Sequence, residues 1–400
     1  PFSPPRIDKQ VVEEVSKALL SGWITTGPRT KKFEQELTNS VGCKKTICFN
    51  SATAGLELIL RWYGVKAGDE VIIPAYTYCA TANVVMHCGA KPVMVDINEK
   101  DFNISVEAIK KAITPRTKVI IPVDVSGFTC DYTEINELVR QESIRSQFQA
   151  DSENQDKLGR ILVMADAAHS IGAVMNGKSS GNLTDVSVFS FHAVKNLTTA
   201  EGGAVCMNFP EPFNCDEIYK ELNRMSLHGQ SKDALAKTQV GNWRYDVLEA
   251  GYKCNMTDIQ AAIGLVELER YESNLKRRKE IFEHYVAGFE NKVWATIPPY
   301  KEGGKESSYH LFLLRIKNID EATRDEVMQK IFGAGVSVNV HFQPLPLLTF
   351  YKESGYKMSD YPVSWSKYEN EITLPVYYDL SDDNVKTIIR AVIDAVETTI

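Results

Sequence analysis

Apolar positions along this chain recur in two rhythms. Val11, Val12, Val15, Ala18 and Leu19 fall at helical spacing behind Asp8, a capping residue type, and Gly22 can end that helix. After it, short apolar runs alternate with longer amphipathic stretches. Residues 46–49, 71–73, 92–95, 119–122, 161–164 and 186–189 read as strands, and residues 53–63, 80–87 and 106–113 as helices between them. These strands are apolar runs rather than alternations, the mark of a sheet covered on both faces. The order predicts an α/β domain with a mostly parallel sheet flanked by helices.

Two stretches break the rhythm. Residues 142–159 are polar with little periodicity, and read as a surface insertion or a helix extension. Residues 257–289 carry one long helical pattern. It would link a large domain, 1–270 with its N-terminal segment, to a smaller C-terminal α+β domain, 271–400. In the smaller part strands are expected near 311–316 and 336–340, and helices near 321–332 and 383–396.

Charge removes some classes of function. Lys and Arg total 45, Asp and Glu total 52, and the net charge is −7, without the basic stripe of a nucleic-acid binder. The densest basic run, Lys276-Arg277-Arg278-Lys279, reads as the solvated face of a helix. No apolar run approaches the ~18 residues of a membrane span. The opening Pro-Phe-Ser-Pro-Pro shows no basic flank leading into an apolar stretch. Neither a nucleic-acid nor a membrane partner is expected, and a cytoplasmic location is. The eight cysteines form no Cys-x-x-Cys pair and no zinc spacing, so reduced buried thiols and no metal are expected.

Open α/β sheets bind ligands beyond the carboxyl ends of their strands. Asp166, in Asp166-Ala167-Ala168-His169, follows one apolar run, and Lys195 lies in the loop after the next, which ends at Ser190. An acid and a lysine on neighbouring strand ends could reach one planar cofactor. Pyridoxal phosphate needs such a pair: an amine to hold its aldehyde and a carboxylate to keep its ring nitrogen protonated. A surface ion pair is the plainer alternative. The small-residue turn Asn50-Ser51-Ala52-Thr53-Ala54-Gly55 opens a helix and offers an anion site, or an ordinary helix cap. There is no Walker loop and no G-x-G-x-x-G. In Tyr76-Thr77-Tyr78 an aromatic could stack on a cofactor ring or pack in the core.

Together these segments resemble the sugar aminotransferases of the DegT/DnrJ/EryC1/StrS family, fold-type I pyridoxal-phosphate enzymes. The matching stretches are 68–74, 89–97, 166–169, 190–192 with Lys195, 201–204 and 251–258, in the family's order. The resemblance implies that Lys195 binds the cofactor and moves the proton, and that Asp166 pairs with the ring nitrogen. Tyr78 would stack on the ring, with His169 beside it. Ala52, Thr53 and Ser190 would hold the phosphate. Asn255 would reach the phosphate of a neighbouring subunit's cofactor, making the active unit a homodimer with shared sites. His341 matches a segment near the sugar-nucleotide pocket, a structural histidine being the alternative.

The reaction implied is transfer of an amino group from glutamate to a nucleotide-linked keto-sugar, a 4-keto-6-deoxyhexose, for surface polysaccharide or a related product. The cofactor would alternate between pyridoxal and pyridoxamine phosphate. Three rivals share the fold: a keto-cyclitol aminotransferase, a sugar dehydratase and a non-catalytic regulator. The dehydratases typically replace the lysine by histidine, whereas Lys195 is present here. Cys254, where tyrosine is common, and Ala193, where proline is frequent, depart from the family pattern without touching the proposed chemistry.

Overall fold

In a computed structural model, described over residues 1–231 and 244–400, seven strands form the central sheet. In chain order the first nine strands are β1 (Lys45–Phe49), β2 (Glu70–Pro74), β3 (Lys91–Val95), β4 (Thr117–Ile120), β5 (Leu162–Asp166), β6 (Val174–Met175), β7 (Lys178–Ser179), β8 (Val186–Ser190) and β9 (Gly203–Met207). The sheet runs β1-β9-β8-β5-β4-β2-β3. All its neighbours are parallel except at β9, which runs against both β8 and β1.

Both faces of the sheet are buried, which explains the unbroken apolar runs. On β2, Val71 and Ile73 join one hydrophobic cluster while Ile72 joins the other. On β1, Ile47 and Phe49 face the first cluster and Cys48 the second. The helix Ala52–Trp62 lies close on the sheet because Gly55 has no side chain there: a Cβ would sit 2.8 Å from Val205.

The C-terminal part holds β10 (Ala295–Thr296), β11 (Lys301–Glu302), β12 (Lys305–Glu306), β13 (Phe312–Ile316) and β14 (Glu371–Leu374). An antiparallel sheet β10-β13-β14 packs with helices Tyr271–Phe289, Glu321–Gly333 and Asp382–Glu397 around Phe282, Tyr285, Phe289 and Phe312. A ribbon β11-β12-β6-β7 joins two short strands that follow β5 to two from the C-terminal part. Leu345, Tyr351 and Tyr361 return to the core of the large sheet.

Three features differ from the sequence reading, while the polar stretch 142–159 lies mostly at the surface, as read. The helical pattern over 257–289 breaks at Arg270 (φ −101°, ψ 7°). The guanidinium there bonds Glu267, Asp8 and the carbonyl of Arg6, and Tyr271 begins a second helix. The strand expected at 336–340 shrinks to a single bridge between Asn339 and Thr373. Side chains take the backbone donors instead: Val340 N–H donates to Asn339 Oδ1 and His341 N–H to Glu371 Oε2.

Arg278, read as solvated, is buried and donates to the carbonyls of Tyr309, His310 and Val376. Residues 142–159 form two short helices, Glu142–Arg145 and Glu153–Leu158, and the second is anchored. Ser152 and Gln155 donate to the Tyr63 carbonyl and Asn154 to that of Trp62. The segment thus satisfies carbonyls left open at the end of helix Ala52–Trp62.

All eight cysteines are free thiols, and six are buried. Among the described residues no helix is long and apolar enough to cross a membrane, and no group of side chains could hold a metal ion.

Candidate active site

A cavity of about 560 Å³ opens at the carboxyl ends of β1, β5 and β8. It gathers Ala52, Thr53, Tyr78, Asp166, His169, Ser190, Lys195 and His341. Asn255 does not line it. Its Nδ2 donates to Thr26 Oγ1 at 2.6 Å, and its backbone bridges Phe49 at the end of β1.

Each group is placed by its local fold. Ser51 caps helix Ala52–Trp62 by accepting from Ala54 N–H, so its hydroxyl is engaged in the cap. The amides of Ala52 and Thr53 remain at the positive end of the helix dipole, where an anion is held. Gly203, at the start of β9, allows this turn to sit against the sheet: a Cβ there would meet Ala52 N at 2.3 Å. Tyr78 is at the N-cap of the next helix, Cys79–His87, largely exposed, with its ring 6.1 Å from Phe342.

Asp166 is buried at the last position of β5. Burial pushes its carboxyl above the usual range, opposed by Thr81 Oγ1–H at 2.8 Å, Ala168 N–H at 3.3 Å and the charge of Lys195. Thr77 and Thr81 hydroxyls are 3.0 Å apart, extending the chain of hydrogen bonds behind the carboxylate. Lys195 sits in a turn, its N–H donating to the His192 carbonyl. Burial pushes its amine down to about 8, and the Asp166 charge opposes that.

Sequence reasoning missed His310, Phe342 and Phe2, which also line the cavity. Asn196, next to Lys195, donates to the Ser308 carbonyl through Nδ2 at 2.7 Å, so its Oδ1 faces His310 Nδ1, also at 2.7 Å. His310 therefore carries its proton on Nδ1. The His310 and His169 ring centroids are 4.4 Å apart, and burial pushes both well below the usual imidazole range. His310 precedes the apolar run of β13, which was a usable signal; nothing in the sequence marks Phe2.

The residues present fit pyridoxal phosphate. His169 Nδ1 is buried with no hydrogen-bond partner among the described residues, as expected where a ligand supplies one. A helix N-terminus suited to a phosphate, an acid suited to a ring nitrogen and an amine suited to an aldehyde share one cavity. Fold and site together define a fold-type I pyridoxal-phosphate-dependent aminotransferase.

The chain belongs to the DegT/DnrJ/EryC1/StrS aminotransferase family, whose profile matches residues 5–393. A Streptococcus pneumoniae protein described as a candidate sugar aminotransferase, solved in its PMP form, superposes with a TM-score of 0.97 at 46% identity, and both chains are covered in full. Its PLP form superposes with a TM-score of 0.95 at 45% identity, covering 100% of this chain and 99% of that one. An uncharacterised protein of Methanocaldococcus jannaschii is 41% identical over 396 residues, 98% of this chain and 96% of its own. The spore coat polysaccharide biosynthesis protein SpsC of Bacillus subtilis is 35% identical over 401 residues, 99% of this chain and 97% of its own.

Proposed function

We propose that this enzyme moves an amino group from glutamate to a nucleotide-linked keto-sugar, a 4-keto-6-deoxyhexose, in the synthesis of a surface polysaccharide. The observation that carries the reading is the meeting of Lys195, Asp166 and the N-terminus of helix Ala52–Trp62 in one cavity. The relatives named for sugar amination and spore coat polysaccharide support the acceptor class. When bound, the cofactor supplies an electron sink for the carbanion formed at the donor's Cα.

The residues divide the work. Lys195 Nζ would hold the cofactor by its aldehyde, and as a free amine it would take the proton from the donor's Cα and return one on the acceptor side. An amine pushed down to about 8 is suited to that exchange near neutral pH. Asp166 keeps the ring nitrogen protonated, and its burial strengthens the pairing once the opposite charge is present. Ala52 and Thr53, with Ser190, hold the phosphate. Tyr78 covers the ring face, and His169 lies at its edge. His341 contacts the acceptor.

Asn255 serves the cofactor of a second copy, so the working unit is a homodimer. Its place outside its own chain's cavity supports that reading. Residues 1–270 act as the cofactor domain and 271–400 as the smaller domain, in keeping with the separate hydrophobic cluster around Phe282 and Phe312. The reaction takes place in the cytoplasm.

The test is a panel of UDP-, GDP- and dTDP-linked 4-keto sugars, each with glutamate. Amination of at least one, with 2-oxoglutarate formed in equal amount, is expected. Amination of keto-cyclitols alone would overturn the sugar-nucleotide reading.

A further inference from the structure

Behind His341 lies a buried carboxyl that the cofactor chemistry does not use. Glu371 is fully buried on β14. Its Oε2 accepts from His341 N–H at 3.1 Å, and its Oε1 is 2.5 Å from Thr373 Oγ1. Thr373 Oγ1 is in turn 3.1 Å from His341 Nδ1. No described residue hydrogen-bonds His341 Nε2, and the ring lines the cavity, stacked on Phe2 with centroids 5.7 Å apart. A carboxyl, a hydroxyl and an imidazole thus form one unbroken line from the interior to the acceptor end of the site.

We propose that Glu371, Thr373 and His341 form a proton relay that delivers the carboxyl proton to the cavity at His341 Nε2, giving the site a second acid–base group beside Lys195. The step balances. In the loaded state Glu371 Oε1–H donates to Thr373 Oγ1, Thr373 O–H donates to His341 Nδ1, and Nε2 carries a proton. As the incoming nitrogen forms a double bond to the acceptor carbon, both C–O electron pairs go to the oxygen, which leaves as water, and the nitrogen keeps one proton and a positive charge. One proton for that water comes from the incoming nitrogen and the other from Nε2. Nδ1 takes the Thr373 proton, Thr373 takes the Glu371 proton, and the negative charge rests on Glu371. His341 remains neutral throughout and changes only its tautomer. The inference rests on the acceptor's carbonyl lying at this end of the site.

The surroundings suit this cycle. Burial pushes Glu371 up to about 8, so it holds its proton at neutral pH. Burial, then the Lys195 charge, pushes His341 down to about 4, so the ring alone is no acid at neutral pH and needs the carboxyl behind it. The other groups facing the relay are Arg324, Tyr76, and the two imidazoles of His169 and His310, which burial pushes well below the usual range. Arg324, on helix Glu321–Gly333, donates to the Glu371 carbonyl and favours the charged carboxylate. Tyr76, after β2, donates to the His341 carbonyl at 2.7 Å.

The test combines spectroscopy with rates. In the full-length holoenzyme carrying ¹⁵N-histidine, the His341 signals should exchange from the Nε2–H to the Nδ1–H tautomer as pH rises through about 8. Glu371→Gln should abolish that exchange. For the acceptor, kcat/KM should fall on the alkaline side with the same midpoint. Thr373→Val should lower it about a hundredfold at pH 7 and flatten that limb, and Thr373→Ser should restore both. A single His341 tautomer from pH 6 to 10 in the native protein, or an unchanged acceptor pH profile in Thr373→Val, would overturn the relay. A wild-type enzyme that aminated no keto-sugar would instead count against the substrate reading, since the tautomer exchange is measured without turnover.

Discussion

On the side of the seven-stranded sheet, the cavity holds an acid, an amine and the N-terminus of a helix: Asp166, Lys195 and the amides of Ala52 and Thr53. On the side of the small sheet it holds His310 and His341, both kept neutral by burial and both anchored through Nδ1. The first wall gathers charge that a charged cofactor can neutralise. The second presents hydrogen-bonding nitrogens without charge. Under the proposed function, charge fixed on one side would hold the cofactor, and neutral groups on the other would choose an acceptor by its hydroxyls and carbonyl.

The largest effect should come from the charged wall. Lys195→Ala should cut turnover by about ten-thousandfold or more, because both the covalent anchor and the proton carrier are lost. Turnover within tenfold of the wild type would break the assignment. Asp166→Ala should cost about a thousandfold, by removing the charge that stabilises the ring cation. Half-reactions measured separately should suffer alike with donor and acceptor. A loss confined to the acceptor half would erase the contrast between the walls.

Smaller effects sharpen the same contrast. Lys195 is pushed down to about 8, so its free-amine fraction rises as pH passes that value. Capture of pyridoxal phosphate by the cofactor-free protein should speed up about tenfold from pH 7 to 9, and a flat stopped-flow profile would count against a buried reactive amine. Thr81→Val removes a donor to Asp166 and should push that carboxyl further up. A threefold to about tenfold loss of kcat is expected, the scale of one ordinary net hydrogen bond. The pH at which the bound cofactor's absorbance changes should move with it.

The charged wall was legible in the sequence because it depends on chain-local facts. Apolar runs end at Asp166 and Ser190, and Lys195 follows at short range. A strand end in an open α/β sheet faces the ligand whatever the rest of the chain does. The neutral wall was harder to read. His341 came only from family resemblance, and Glu371 behind it was passed over, because the contact spans 30 residues and depends on a strand that side chains cut short. Arg278 failed for a related reason: a basic run on a helix is solvated unless carbonyls elsewhere lack partners, and those of Tyr309, His310 and Val376 come from distant segments. The anchoring of the polar stretch at 142–159 was hidden for the same cause, since the helix end that it completes lies about 90 residues earlier.

The proposed function stands on Lys195 as the amine that holds pyridoxal phosphate. The direct measurement is borohydride reduction of the loaded enzyme, which fixes the lysine–cofactor bond, followed by proteolysis and mass spectrometry of the peptides. One phosphopyridoxyl group per chain, on Lys195, is expected. A group on any other lysine, or none on a preparation that turns over, would contradict it.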